Sequence, residues 1–171
     1  MVQRGELIRV ARGVYQRVDA KPVDPIAVLS VTHPDAVVCL LSALAMHGLT
    51  TQVPGQTWIA IPSKAAAPRV VSPPLQIVRM NDENLHVGVQ DITVDGVPVR
   101  VTSPARTVAD CFKFRRRVGL DVAIEALRTA WDERVVTMDE LWSAAQSVRM
   151  SNVMRPYLES VTGAVSIRSV D

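Results

Sequence analysis

The dipeptide Asp95-Gly96 stands between two runs of alternating apolar and polar residues, and it constrains the fold more than any other pair in the sequence. Asp-Gly accommodates the positive φ angles that a two-residue hairpin turn demands. Val87 to Val101 is therefore predicted to be an antiparallel hairpin, with Ile92, Val94, Val97, Val99 and Val101 along it. Directly afterwards come Ser103 and Pro104, an N-cap hydroxyl followed by a residue pre-set for the first helical turn. From there the pattern is helical. A helix from Ser103 to about Phe114 is followed by one over Leu120 to Trp131, with Leu120, Ile124, Leu127 and Trp131 on its apolar face. Thr137 and Glu140 have the spacing of a capping box and open a third helix through Met138, Leu141, Trp142, Ala145 and Val148. A fourth is expected from about Asn152 to Val161, stopping at Gly163.

Ahead of the hairpin, Val37, Leu41 and Leu44 recur at helical spacing beside Val38 and Ala45. They predict a helix over Asp35 to His47, between Pro34 and Gly48. Thr57 to Ile61 reads as a buried strand ending at Pro62, Pro62 to Pro74 as a surface loop, and Leu75 to Met80 as a further strand. Asp82 and Glu83 lie in a hydrophilic turn. At the start of the chain, Gly5 to Arg17 holds two short β-prone runs that meet at Ala11, Arg12 and Gly13. The prolines and aspartates of Asp19 to Pro25 suit a linker. Two units follow, residues 1–20 and 25–171. Strands precede helices, which predicts an α+β fold: a β-hairpin wing joined to a mixed β-sheet domain with a helical C-terminal half.

A chain of 171 residues that is 48% hydrophobic is long and apolar enough for a packed core and does not read as disordered. The net charge is only +2, so a nucleic-acid role requires a local patch. Two stretches qualify. Arg4, Arg9, Arg12 and Arg17 face Glu6 alone within Arg4 to Arg17, and they fit either phosphate contact by a wing or a solvated hairpin. Arg106, Lys113, Arg115, Arg116 and Arg117 face Asp110 alone. Cations at a helix end complement its negative C-terminal dipole, and a partner or nucleic-acid surface is the alternative. Arg106 and Asp110 are spaced for an i,i+4 pair, contributing about 0.3–0.5 kcal/mol on a solvated helix.

Features of catalysis are sparse. His33, His47 and His86 lack metal-ligand spacing, and His47 at a helix end suits the dipole. No nucleophile elbow, Walker loop or GxGxxG segment occurs. Asp19-Ala20-Lys21 fits the (D/E)xK piece of a nuclease site only formally, since it sits in a linker with no acid on a strand ahead of it. Cys39 and Cys111 lie in apolar runs and read as buried, reduced thiols. No leader-like opening and no apolar run of ~18 residues is present. A cytoplasmic protein without enzymatic activity, metal or other cofactor is expected.

Three segments together carry a resemblance: Arg4-Gly-Glu-Leu-Ile-Arg-Val-Ala-Arg-Gly-Val-Tyr15, Val38-Cys-Leu-Leu-Ser-Ala-Leu-Ala-Met-His-Gly-Leu49 and Val101-Thr-Ser-Pro-Ala-Arg-Thr-Val-Ala-Asp-Cys-Phe112. With Trp58-Ile-Ala-Ile-Pro62 between them, the chain to about Trp131 resembles the AbiEi-type antitoxins and transcriptional regulators of type IV toxin–antitoxin (abortive phage infection) systems. The resemblance implies an N-terminal winged helix-turn-helix that binds inverted repeats upstream of its own operon. It also implies a C-terminal domain that supports antitoxicity or cooperative assembly. The partners implied are operator DNA and a nucleotidyltransferase-like toxin, the latter without need of stable contact. Homodimerisation suits inverted repeats. The sequence carries only a few residues ahead of the wing, so a truncated winged helix is expected, with phosphate contact and little base discrimination. The alternative is a protein-interaction module that has lost sequence-specific DNA binding.

Overall fold

The computed structural model describes residues 6–69 and 73–168. Its centre is a mixed sheet with strand order β5-β4-β3-β7-β6, formed by β3 (Val37–Val38), β4 (Thr57–Pro62), β5 (Leu75–Met80), β6 (Val89–Val94) and β7 (Val97–Thr102). The β3/β7 and β4/β5 pairs are parallel, and β3/β4 and β6/β7 are antiparallel. β6 and β7 form the predicted hairpin, with Asp95 at φ 49° and Gly96 at φ 76°, as a type I′ turn requires. A separate two-stranded antiparallel sheet, β1 (Leu7–Ala11) and β2 (Val14–Arg17), precedes it. The α+β class expected from strands followed by helices is what the chain forms.

The helix expected over Asp35 to His47 is corrected. Val37 and Val38 form the short central strand, and helix α2 begins only at Leu40 and runs to Met46. Both valines are buried, one on each face of the sheet. A strand covered on both sides gives a continuous apolar run, and such a run mimics helical spacing over a few residues. The turn from strand to helix passes through Leu40 at φ 47°, which no sequence pattern announces.

The linker also ends sooner than expected. Asp24 caps helix α1 (Pro25–Thr32), its side chain accepting from Ile26 N at 2.8 Å, with Pro25 in the first turn. This Asp-Pro pair is the same signal as Ser103-Pro104. α1 covers one sheet face, where Leu29 meets Ile59 and Ile61, and Ile26 meets Val99 and Val101. The other face carries a helical layer. It comprises α3 (Asp82–His86), α4 (Pro104–Lys113), α5 (Arg115–Val118), α6 (Leu120–Asp132), α7 (Met138–Ser147) and α8 (Ser151–Arg168). α4 lies at its centre, against α2, α6, α7 and α8.

Three details of that layer depart from expectation. Asp82 and Glu83, read as part of a turn, open α3, with the side chain of the N-cap Asn81 accepting from Asn84 N at 3.1 Å. α6 buries Val122, Ala123, Ala126, Leu127 and Ala130, while Leu120 is 39% exposed. Its packing face is the alanine-lined one, because small side chains let α4 approach closely. α8 continues through Gly163, since a glycine ends a helix only where it turns to positive φ. The capping box at Thr137 and Glu140 forms as predicted, with both bonds present at 3.2 and 2.7 Å.

α6 and α7 each terminate in an arginine with left-handed backbone: Arg134 at φ 56° and Arg149 at φ 60°. The bonds Val135 N to Ala130 O (2.9 Å) and Met150 N to Ala145 O (2.7 Å) mark Schellman ends. Left-handed backbone costs a non-glycine L-residue roughly 1–2 kcal/mol, part of which glycine's greater chain entropy offsets. R134G and R149G are each expected to raise stability by about 0.5–1 kcal/mol, seen as a higher denaturant midpoint at unchanged slope.

Candidate nucleic-acid interface

The first basic stretch is built on the β1–β2 hairpin. Cross-strand neighbours are Leu7 with Arg17, Ile8 with Gln16, Arg9 with Tyr15 and Ala11 with Val14, with an irregularity between Arg9 and Ala11. Side chains alternate across a strand, so Leu7, Arg9, Tyr15 and Arg17 share one face. Arg12 and Gly13 make the tip, Gly13 at φ 77°. Arg9, Arg12 and Arg17 are all exposed, while Arg4 lies outside the described residues.

The cations differ in availability. Arg17 donates through Nε and Nη2 to both carboxylate oxygens of Asp19 at 2.9 Å. That contact holds the Asp19 carboxyl below its usual range. Both side chains are more than two-thirds exposed, so the pair is weak and a polyanion can displace Asp19. Arg9 donates only from Nε, to Ala11 O at 3.2 Å. Arg12 has no ion pair or side-chain hydrogen bond among the described residues. Tyr15 stands directly opposite Arg9 and is 58% exposed, so a guanidinium and an aromatic plane are presented together.

Gln16, 8% exposed, anchors the hairpin. Its Nε2 donates to the carbonyls of Ala20 and Lys21, and its Oε1 accepts from Val23 N. The same segment is fastened to the β6–β7 turn, where Asp24 N donates to Asp95 Oδ2 at 2.7 Å. The hairpin also exposes Leu7, Ile8, Val10, Tyr15 and Val18. These apolar residues alternate with arginine within twelve positions.

The second basic stretch divides between the core and the surface: Arg106 is buried, whereas Lys113, Arg116 and Arg117 are exposed. Arg106 is 3% exposed. Its Nε lies 3.0 Å from both oxygens of Asp110, which is fully buried, and its Nη1 donates to Val87 O. Arg106 is thus a core residue and not part of a basic face. Lys113 occupies the last turn of α4, and Arg115 donates to Phe112 O at 2.8 Å, so both serve that helix end. Arg117 lies 5.3 Å from the Trp58 ring and bonds Gln76 Oε1 at 3.2 Å. Arg116 is exposed and unpaired among the described residues. The two regions lie at opposite ends of the sheet. Val101, Val38, Ile59 and Ile77 are in register, which puts Gln76 near the end of β7, whereas the hairpin is tied to Asp95 before its start. At 3.3 Å per residue the separation along the strands is about 20 Å.

The remaining candidates resolve structurally. His47 Nε2 lies 2.7 Å from Thr102 O. A carbonyl can only accept, so Nε2 donates and ties the end of α2, where His47 is the C-cap, to β7. Burial pushes the Cys39 and Cys111 thiols far above their usual range, Asp110 adding to it, and a protonated thiol is a poor nucleophile. Burial likewise raises the Asp110 carboxyl, against the opposing pull of Arg106. Among the described residues no group of three His, Cys, Asp or Glu side chains could hold a metal ion, and no helix is long and apolar enough to cross a membrane.

No family model matches the chain, and no curated protein matches its sequence. The pairing of Arg9 with Tyr15 was not foreseen from the sequence, although strand alternation held the signal. The stacking of Arg117 on Trp58 joins segments 59 residues apart and had no local sign.

Proposed function

We propose that the chain is an antitoxin-type transcriptional regulator of a type IV toxin–antitoxin (abortive phage infection) operon, binding DNA and counteracting a nucleotidyltransferase-like toxin. The observation that carries the DNA half is the outward face of the β1–β2 hairpin. There Arg9 and Tyr15 stand side by side, Arg12 forms the tip, and Arg17 is held only by an exposed aspartate. Guanidinium groups on a narrow ribbon can follow the phosphate backbone, and an adjacent phenol ring can lie against sugar or base. The antitoxin half rests on the resemblance of the three sequence segments. The working location proposed is the cytoplasm.

The hairpin offers phosphate contact rather than base readout, so affinity is expected to be modest and steeply salt-dependent. With three arginines engaged, log K against log salt concentration should have a slope of about −2.7, from about −0.9 per phosphate. A duplex from upstream of the chain's own reading frame, titrated at several salt concentrations, measures this. A flat dependence removes DNA binding from the proposal. Rescue of growth on co-expression with the neighbouring toxin gene checks the antitoxin half separately.

The exposed apolar residues of the same hairpin favour a second reading, a protein-interaction module without sequence-specific DNA binding. Exposed apolar side chains gathered on one short element suit a protein contact. Retention of a protein partner at high salt, with no binding to any duplex at low salt, selects it.

A further inference from the structure

β6 is an edge strand, paired with β7 on one side and last in the sheet order. Which of its backbone groups face outward follows from the turn. Residues flanking a two-residue hairpin loop exchange both hydrogen bonds, and bonded pairs then alternate with unbonded ones. Val94/Val97, Ile92/Val99 and Gln90/Val101 are therefore the bonded pairs. Two observations fix the same phase. Ser103 N donates to Gly88 O at 2.7 Å, which is the next bonded pair in the series. Thr93 stands opposite Pro98, which has no N–H to give. The N–H and C=O groups of Val89, Asp91 and Thr93 thus point away from β7, with no strand beyond them among the described residues.

Natural sheets guard such edges with proline, lysine, a bulge, a short strand or a covering segment. Among the described residues β6 has no proline, lysine or bulge, and no segment pairs with its outer edge. It is six residues long, it runs in unbroken register, and Asp91 is its one charged residue. At the opposite edge, Arg79 of β5 donates to the carbonyls of Ser63 and Ala65 at 3.1 and 2.7 Å, holding the loop after β4 beside that strand.

We propose that β6 pairs antiparallel with β6 of a second copy of this chain, about a two-fold axis at Ile92, extending the sheet through a homodimer. The charge pattern selects both the occupant and the register. In a two-fold pairing the outward-facing residues must meet one another, and an axis at Gln90, Asp91, Ile92 or Thr93 pairs three or more residues of β6. An axis at Gln90 pairs only Val89 to Asp91 and sets no apolar side chain against another. An axis at Asp91 sets that carboxylate against its own copy. An axis at Thr93 sets Asp91 opposite Asp95. An axis at Ile92 sets Asp91 opposite Thr93 at two equivalent places, Gln90 opposite Val94, and half-buried Ile92 against itself. Only the last avoids like charges while joining apolar side chains. The strand is complementary to itself in one register, as a two-fold interface requires. This surface is separate from the hairpin and does not depend on DNA binding.

Thr93 is exposed and its charge variants touch no core residue, so they test the register directly. Sedimentation equilibrium of the full chain is expected to show a reversible monomer–dimer equilibrium. T93D sets a carboxylate opposite Asp91 twice and should raise the dimer dissociation constant about fivefold or more at low salt. T93K sets an ammonium there and should lower it by a similar factor, and both effects should shrink as salt is added. Thermal melts of the three proteins confirm equal folding. A concentration-independent monomer overturns the proposal, as does a dimer whose dissociation constant is the same in both variants.

Discussion

Asp110→Ala is expected to lower the unfolding free energy by about 3–5 kcal/mol, while the double replacement R106M/D110L recovers most of it. The residues alone suggest a solvated i,i+4 pair of a few tenths of a kcal/mol. Burial changes the scale. Arg106 and Asp110 have side-chain exposures of 3% and 0%, so the carboxylate is what compensates a guanidinium already removed from water. Taking it away strands the cation inside α4's packing face. Taking both away leaves an apolar interior with no charge to desolvate, and well-packed apolar pairs often equal buried ion pairs in stability. Arg106 Nη1 also bonds Val87 O between α3 and β6, so the double variant should keep a residual loss near that one hydrogen bond, about 1 kcal/mol. Urea titration of the single and double variants measures this. A loss under about 1 kcal/mol for D110A would show that the pair is hydrated.

The second large effect belongs to Phe112→Ala, expected to cost about 3–5 kcal/mol. Phe112 is completely buried on α4, its ring 5.1 Å from that of Tyr157 on α8. Removing it opens a cavity where α4 meets its neighbouring helices, and a surround of helix backbones cannot collapse to fill it. Leu120→Ala is the informative contrast. By sequence periodicity Leu120 belongs to the core face of α6, but it is 39% exposed, and its truncation should change stability by less than about 0.5 kcal/mol. Equal losses at the two positions would contradict the observed rotation of α6.

Local chemistry was legible wherever a side chain acts on its own neighbourhood. Asp95-Gly96, Ser103-Pro104 and the Thr137–Glu140 box each specified their element, because turn and cap geometry is settled within four residues. Strands β4 and β5 were equally clear, being short apolar runs between turn formers. What was not legible depends on a third dimension. Val37 and Val38 became a strand because β4 and β7 flank them, and those partners are distant in sequence. The face of α6 was set by how closely α4 approaches, which favours alanine over leucine. The candidate site shows the same division. The hairpin and its exposed arginines followed from pattern, whereas Arg106 left the basic surface because the sheet and helices close over it. Asp24-Pro25 is a different case: the capping signal was present and was absorbed into the linker.

The central claim is that the β1–β2 hairpin is the element that touches DNA, and the salt dependence of R9A/R12A tests it most directly. Neither side chain is buried, and neither is ion-paired among the described residues, so the variant should fold as the wild type does. On the same duplex its log K against log salt slope should be shallower than wild type by about 2, one for each phosphate that no longer meets an arginine. R116A, in the second basic stretch on α5, should leave the slope unchanged. A wild-type slope in R9A/R12A, or a reduced slope in R116A alone, would place the DNA-binding surface elsewhere on the molecule.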